Sequence, residues 1–244
     1  MIDHCAQLPG VTYGGKCVVV LSGGMDSATL LHLVVRYHMT PIAVSFNYGQ
    51  KHRKELDFAR QQVINLGERM STVYEHKIID VTALTAHISK SALTSDMPVP
   101  EGHYAADNMK QTVVPNRNMI MMSIAAGIAV NENAVAVATG VHAGDHFVYP
   151  DCRPQFVHDL EATIKSGNEG FGHPALFVYA PFLHKGKEEI AKIGDSLGVD
   201  YSTTWSCYNG REMHCGVCGT CVERKEAFSL ADVSDPTVYE PVGR

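Results

Sequence analysis

A short apolar run that ends in two glycines constrains this chain more than anything else in it: Cys17 to Leu31 reads CVVVLSGGMDSATLL. Val18, Val19, Val20 and Leu21 make an uncharged, β-branched stretch of the kind that fills a buried strand. It breaks at Ser22-Gly23-Gly24, and after Asp26-Ser27 an apolar, helix-compatible segment runs from Ala28 to Val35. The predicted order is strand, glycine turn, helix. Glycines let backbone approach a ligand without Cβ interference. The N–H groups at a helix start have no intrahelical partner, so with the helix dipole they favour an anion. A carboxylate beside an anion site calls for a cation between them, which marks Asp26 for Mg²⁺. The plainer alternative is a turn in which Asp26 or Ser27 caps the helix. The spacing SGGxDS straight after a strand favours the nucleotide reading, and the pattern is neither GxxxxGKS/T nor GxGxxG.

With 244 residues, 45% of them hydrophobic, the chain can bury one sizeable α/β domain and a small appendage. No apolar run approaches the ~18–20 residues that span a bilayer. The N-terminus, MIDHCAQLPGVTYGG, carries an acid and lacks a basic n-region, so it is read as a loose leader and not a signal peptide. A net charge of −6 without a concentrated basic face weighs against direct nucleic-acid binding. Along the chain, Pro41 to Tyr48 is a second strand, followed by the amphipathic helix KHRKELDFARQQVINLG. Leu56, Ala59, Val63 and Leu66 share a face of that helix, and Gly67 stands where a C-cap glycine belongs. Thr72 to Ile79 is a third strand. This β-α-β-α-β order predicts a doubly wound parallel sheet, its ligand beyond the strands' carboxyl ends. SGGMDS and Tyr48-Gly49-Gln50-Lys51-His52 then face one crevice. Residues 82–112 lose periodicity and are expected to form a loop-rich, mobile insertion. MIMMSIAAGIAV, after Asn118, reads as a buried helix with methionine as core filler. Ala134 to Thr139 is a strand, Asp151 to Ser166 a helix, Ala175 to Ala180 a strand, and Lys187 to Leu197 a helix. The division expected is a nucleotide-binding α/β domain over 1–200 with a metal-binding segment over 201–244 packed on it.

Of seven cysteines, four fall within fifteen residues: Cys207, Cys215, Cys218 and Cys221. That crowding argues for a metal in a reducing compartment, naturally the cytoplasm, and against a disulfide framework. Four thiolates suit a closed, structural Zn²⁺ site. An iron–sulfur cluster is the alternative, although the ferredoxin run CxxCxxCxxxCP differs. Gly210, Gly216 and Gly219 permit the turns of a zinc knuckle. Cys5 and Cys17 read as small buried hydrophobes, whereas Cys152 lies in a polar site loop. With four cysteines filling a metal shell, His142, His146 and His173 read as ordinary loop histidines.

SGGMDS resembles the PP-loop of the ATP pyrophosphatases, which cleave ATP between its α- and β-phosphates while a substrate oxygen attacks the α-phosphorus. Taken with FNYGQKHRKE (Phe46 to Glu55), VPNRN (Val114 to Asn118), YPDCRPQF (Tyr149 to Phe156), GKEEI (Gly186 to Ile190) and CYNG…CGVCGTC (Cys207 to Cys221), the chain resembles the 7-cyano-7-deazaguanine synthase (QueC) family of queuosine biosynthesis. The match runs from about Cys17 to Cys221. The resemblance implies a sheet of the adenine-nucleotide α-hydrolase type and the ATP-dependent conversion of 7-carboxy-7-deazaguanine and free ammonia to the nitrile. It also implies Mg²⁺ with the ATP, one structural zinc per chain, and a homodimer. ATP would lie along Leu21, Ser22, Gly23, Gly24, Met25, Asp26, Ser27, Ala28, Thr29, Leu30 and Leu31. Asp26, Lys187 and Arg117 would carry the chemistry. Lys187 meets developing phosphate charge at a helix start, and the Arg117 fork and the Asn118 amide suit a carboxylate or phosphate oxygen. Tyr48, Gln50, His52, Asn118, Asp145, Asp151 and Arg153 are the candidates for holding the deazaguanine, a carboxylate being able to accept from two ring N–H donors. A surface ion pair for Arg117 and solvated loop charges for the acidic residues are the ordinary alternatives; His52 and Glu55 are site or scaffold, Glu55 as a support of its helix start.

The sequence departs from the family in two places. Where many members read PGRN this chain has Asn116 for glycine, and asparagine tolerates the left-handed turn. Where the family often shows VCETDF, this chain reads Val141-His142-Ala143-Gly144-Asp145-His146, keeping the aspartate and losing the glutamate. A reaction that stops at the amide, or passes the activated base to another acceptor, is therefore a second reading. A tRNA-modifying pyrophosphatase is a third, expected to carry a basic surface for RNA. A zinc-organised interaction module without turnover is a fourth.

Overall fold

Strand β1 (Lys16–Val20) takes up the apolar run, and its middle residues are wholly excluded from water. The computed structural model describes residues 15–88, 90–103 and 107–241; the expected leader and Cys5 lie outside them. After β1 come α1 (Met25–Arg36), β2 (Thr40–Asn47), α2 (Glu55–Met70), β3 (Glu75–Asp80) and the single turn α3 (Thr82–Thr85). The second half supplies α4 (Arg117–Asn131), β4 (Ala136–Ala138), α5 (Pro154–Gly167), β5 (Phe177–Tyr179), α6 (Lys187–Ser196) and α7 (Gly219–Ala231). The five strands are parallel in the order β3-β2-β1-β4-β5.

Alternation along the strands sends side chains to both faces, as a sheet covered by helices on each side requires. Val18, Val44 and Val137 pack with α4 and α5, while Cys17, Val19, Ala43 and Ala138 pack with α1, α2 and α6. The sheet is therefore doubly wound. A smaller cluster joins Met25 and Ala28 of α1 to Ala191 of α6 and Phe228 of α7. No described helix is long and apolar enough to cross a membrane.

Several boundaries differ from expectation for local reasons. Gly67 does not end α2: the helix runs to Met70, and Ser71 takes the left-handed cap (φ 52°). The glycine is needed because the returning chain crosses it, and a Cβ there would meet the Thr72 carbonyl oxygen at 2.7 Å. That return uses residues 72–74, so β3 begins at Glu75. α5 starts at Pro154, since residues 150–152 form a separate 3₁₀ turn and proline suits a first helical position. Asn116 does adopt the left-handed conformation (φ 59°) as the cap of α4. The described parts of segment 82–112 are loop-rich yet seated, with Ala92, Leu93 and Met109 fully buried and Glu101 bridging to Cys218.

His32 of α1 is buried and accepts from Arg69 Nη2 of α2 at 3.1 Å. Burial first, and the Arg69 charge second, pull its pKa down to about 4. Below about pH 6.5 the unfolded chain takes up this proton while the folded chain refuses it. Stability from this residue is thus complete above that pH and is lost as pH falls toward 4. Urea unfolding at pH 7 and pH 5 is expected to show a loss that His32→Gln reduces by on the order of 2 kcal/mol.

Candidate active site

In this strand order the connections leaving β1 and β4 run to opposite faces, so a crevice opens between their carboxyl ends. The loop after β1 forms its floor. Gly24 caps α1 without a side-chain bond, so the first-turn N–H groups of Met25, Asp26 and Ser27 face the crevice. The Ser22 and Ser27 hydroxyls bond each other at 3.1 Å, and Ser27 Oγ also donates to the Gly24 carbonyl. Gly23 is pinned from two sides. Its carbonyl accepts from the Trp205 N–H at 2.9 Å. Its backbone (φ +89°) lies so close to α2 that a Cβ would meet the Glu55 carbonyl oxygen at 2.3 Å.

Charge gathers at this end. Lys187, the first residue of α6, bonds Glu223 Oε2 at 2.6 Å and stands 3.4 Å from Asp26 Oδ2. Burial works against its charge, but Asp26, Glu223 and Asp145 outweigh burial and raise its pKa. His142, in the loop after β4, accepts from the Gly144 N–H through Nδ1 at 3.1 Å. The proton is left on Nε2, which faces Asp145 Oδ2 at 3.6 Å and Asp26 Oδ2 at 3.9 Å. Asp26 Oδ1 is buried and has no hydrogen-bond partner.

The other end of the crevice is aromatic. Arg117, at the start of α4, lies 5.8 Å from the Tyr48 ring and 5.7 Å from the Tyr149 ring. Tyr149 and Tyr208 hydroxyls meet at 3.4 Å, and His52 packs against Tyr208 at 5.3 Å. Glu55 accepts from Gln50 Nε2 at 2.9 Å and reaches His52 Nε2 at 3.4 Å. Burial pushes the Glu55 carboxyl up to about 8, against the pull of the Gln50 bond and Arg117. Burial, then Arg117, holds His52 down at about 3.

Beyond Trp205, the sulfurs of Cys207, Cys215, Cys218 and Cys221 lie within 4.8 Å of one another, all four residues buried. The Cys215 N–H donates to Cys207 Sγ, the Cys218 N–H to Cys215 Sγ, and Asn209 Nδ2 to Cys215 Sγ. Such donors stabilise thiolates. The donor set fits a four-coordinate metal.

Leu21, Ser22, Gly24, Met25, Asp26, Ser27, Tyr48, His52, Arg117, Asn118, Asp145 and Lys187 all line the crevice. The remaining expected residues do not. Ala28, Leu30 and Leu31 are buried in the helix packing of α1, and Thr29 bonds Met25 and Tyr201. Gly23 underlies the loop. Gln50 is spent on Phe46, Tyr48 and Glu55. Asp151 Oδ2 accepts from the Asn118 N–H at 3.0 Å and so fixes the start of α4. Arg153 is exposed and donates to the His146 carbonyl. Arg117 is no surface ion pair, and Glu55 both lines the crevice and supports α2. Two residues outside the expected set join the charged end of the site. His142 reads as an ordinary loop histidine, yet it faces two carboxylates. Glu223 had no motif to mark it; the one signal was its place two residues beyond the last cysteine. Ala143, at the position where the family often has glutamate, does not line the crevice.

A parallel sheet of this order, with a glycine loop and aspartate at the start of α1 and a four-cysteine knuckle behind them, defines an α/β protein of the PP-loop class. A solved 4-thiouridine synthetase in complex with RNA and ATP shares the fold, with a TM-score of 0.53 at 18% identity over 89% of this chain and 50% of that one. The sequence profile described as queuosine biosynthesis protein QueC matches residues 16–232, and the chain belongs to the QueC family of enzymes. The 7-cyano-7-deazaguanine synthase of Ruegeria pomeroyi is 52% identical over 224 residues, 92% of this chain and 94% of that protein. The synthase of Hahella chejuensis is 51% identical over 227 residues, 93% and 94% of the respective chains.

Gly23→Ala is expected to lower stability by about 2 kcal/mol or more, since the backbone conformation and the Glu55 carbonyl both oppose a side chain. A loss of that size in the unfolding free energy from urea titration is the outcome to look for.

Proposed function

We propose that the chain converts 7-carboxy-7-deazaguanine and ammonia to 7-cyano-7-deazaguanine, driven by ATP through adenylated intermediates. The observation that carries this is the meeting of Asp26, Glu223 and Asp145 around the single ammonium of Lys187, beside the first-turn amides of α1. Three carboxylates against one ammonium, with one buried oxygen of Asp26 lacking a partner, suit a divalent cation; Mg²⁺ arriving with ATP would neutralise phosphate charge there. The amides of Met25, Asp26 and Ser27 are placed to hold the two outer phosphates, displacing the contact between the Ser22 and Ser27 hydroxyls.

Arg117, fixed between Tyr48 and Tyr149, is placed to grip the substrate carboxylate and turn one oxygen toward the α-phosphorus. That oxygen forms the new P–O bond as pyrophosphate departs, and Lys187 stabilises the charge gathering on the departing group. Ammonia attacks the acyl carbon, AMP leaves, and a proton is lost, giving the amide. The amide oxygen attacks a second ATP in the same way. Loss of AMP and of the remaining nitrogen protons leaves the nitrile. Tyr208 and Tyr149 close the far wall and offer ring faces to a planar base.

We assign the knuckle to structural Zn²⁺. A tetrahedral ion with Zn–S of about 2.3 Å sets its sulfurs ~3.8 Å apart, and Cys207 and Cys218 sulfurs stand at 4.0 Å.

Incubation with 7-carboxy-7-deazaguanine, ATP, Mg²⁺ and ¹⁵N-ammonium should yield AMP, pyrophosphate and a labelled product whose mass is that of the nitrile. ADP in place of AMP would overturn the reading, and a product that stays at the amide mass would support the shorter reaction. Asp26→Asn and Lys187→Ala should each lower turnover by about 10²–10³-fold with the circular dichroism spectrum unchanged. Native mass spectrometry should find one zinc per chain, and chelation should lower the melting temperature by more than about 10 °C.

A further inference from the structure

Glu223 stands behind Lys187, outside the crevice lining and outside every motif in the sequence. Its Oε2 stands 2.6 Å from the Lys187 ammonium, against 3.4 Å from that ammonium to Asp26. The two side chains are only 13% and 12% exposed, so water does little to loosen the pair. Its other oxygen lies against the loop after β4, where a Cβ on Gly144 would meet it at 3.2 Å.

The backbone carrying Glu223 has almost no freedom. Cys218 and Cys221, at the start of α7, belong to the knuckle, and Thr220 Oγ1 donates to the Ser206 carbonyl at 2.8 Å. The next residue, Arg224, is fully buried. It donates to Thr204 Oγ1, Ser206 Oγ, the Tyr201 carbonyl and Asp235. Without Glu223, Asp26 at 3.4 Å would be left to hold the Lys187 ammonium, and Asp26 is the residue whose oxygens a cation needs.

We propose that Glu223 is a positioning residue that draws the Lys187 ammonium toward α7 and keeps it at 3.4 Å from Asp26 Oδ2, so that Asp26 can take the divalent cation and the ammonium can meet phosphate. This rests on the phosphate-site reading above. The alternative is an ion pair that only ties α7 to α6, and the two differ in what they do to cation binding. A tie affects stability. A positioning residue affects the affinity of Asp26 for metal.

The test uses Glu223→Gln, which keeps the shape and removes the charge, and Glu223→Asp, which keeps the charge on a shorter arm. Mn²⁺ binding in the presence of α,β-methylene-ATP is followed by electron paramagnetic resonance, alongside melting temperature, zinc content and pyrophosphate release. Glu223→Gln is expected to retain its zinc, weaken Mn²⁺ about tenfold and lower kcat about 10- to 100-fold, with Glu223→Asp intermediate. Mn²⁺ affinity and kcat within about twofold of the parent protein, with only the melting temperature lowered, would overturn the positioning role. If Glu223→Gln does not fold, Glu223→Asp decides: Mn²⁺ binding equal to the parent's overturns the role, and weaker binding supports it. Lys187→Ala separates the two levels. Full turnover in that variant sinks the phosphate-site reading itself, whereas an inactive Lys187→Ala beside a fully active Glu223→Gln sinks only the role of Glu223.

Discussion

The pairing of β4 beside β1 is the constraint on which the rest depends. Cys17, Val18 and Val19 run in register with Ala136, Val137 and Ala138. The loop after β1 and the loop after β4 must therefore emerge side by side. That neighbourhood sets Asp26 within reach of His142 and Asp145, although the two loops lie far apart in the chain. A parallel sheet buried on both faces hardly shifts register, so the spacing between these loops is as firm as the core beneath them.

On that frame the crevice is chemically divided. One end gathers carboxylates around a single ammonium and suits phosphate with a cation. The other sets one guanidinium among tyrosine rings and a neutral buried histidine, and suits a planar acid. The C-terminal segment meets the first end through the Trp205 N–H on Gly23 and through Glu223 on Lys187. Through these contacts the four-cysteine knuckle and the glycine loop are mechanically linked.

Most of the frame was legible in the residues. Alternating apolar strands and amphipathic helices announce a parallel sheet, because each pattern buries in only one way. Asn116 was legible as well, since few residues tolerate a left-handed cap. Gly67 misled because a glycine serving a close crossing looks like one ending a helix. The crevice was legible on the side built from local motifs. It was not legible where a contact comes from tertiary placement: nothing near Glu223 in sequence says that Lys187 lies opposite, and His142 gains Asp26 only when β4 pairs with β1. Gln50, Asp151 and Arg153 stand apart from the crevice lining, with polar atoms bonded to neighbouring backbone and side chains, and the sequence does not show those partners.

The carbonyl of Gly23 waits for an N–H that lies near the other end of the chain. The last strand closes at Tyr179, so the whole sheet exists before Trp205 or any of the knuckle cysteines has been added. Helices α6 and α7, which pack on α1, and the segment that braces the glycine loop all follow that strand in the chain. The glycine loop thus takes its backbone brace from a segment made after every described strand, and a fault confined to residues 205–244 reaches the first turn of the fold.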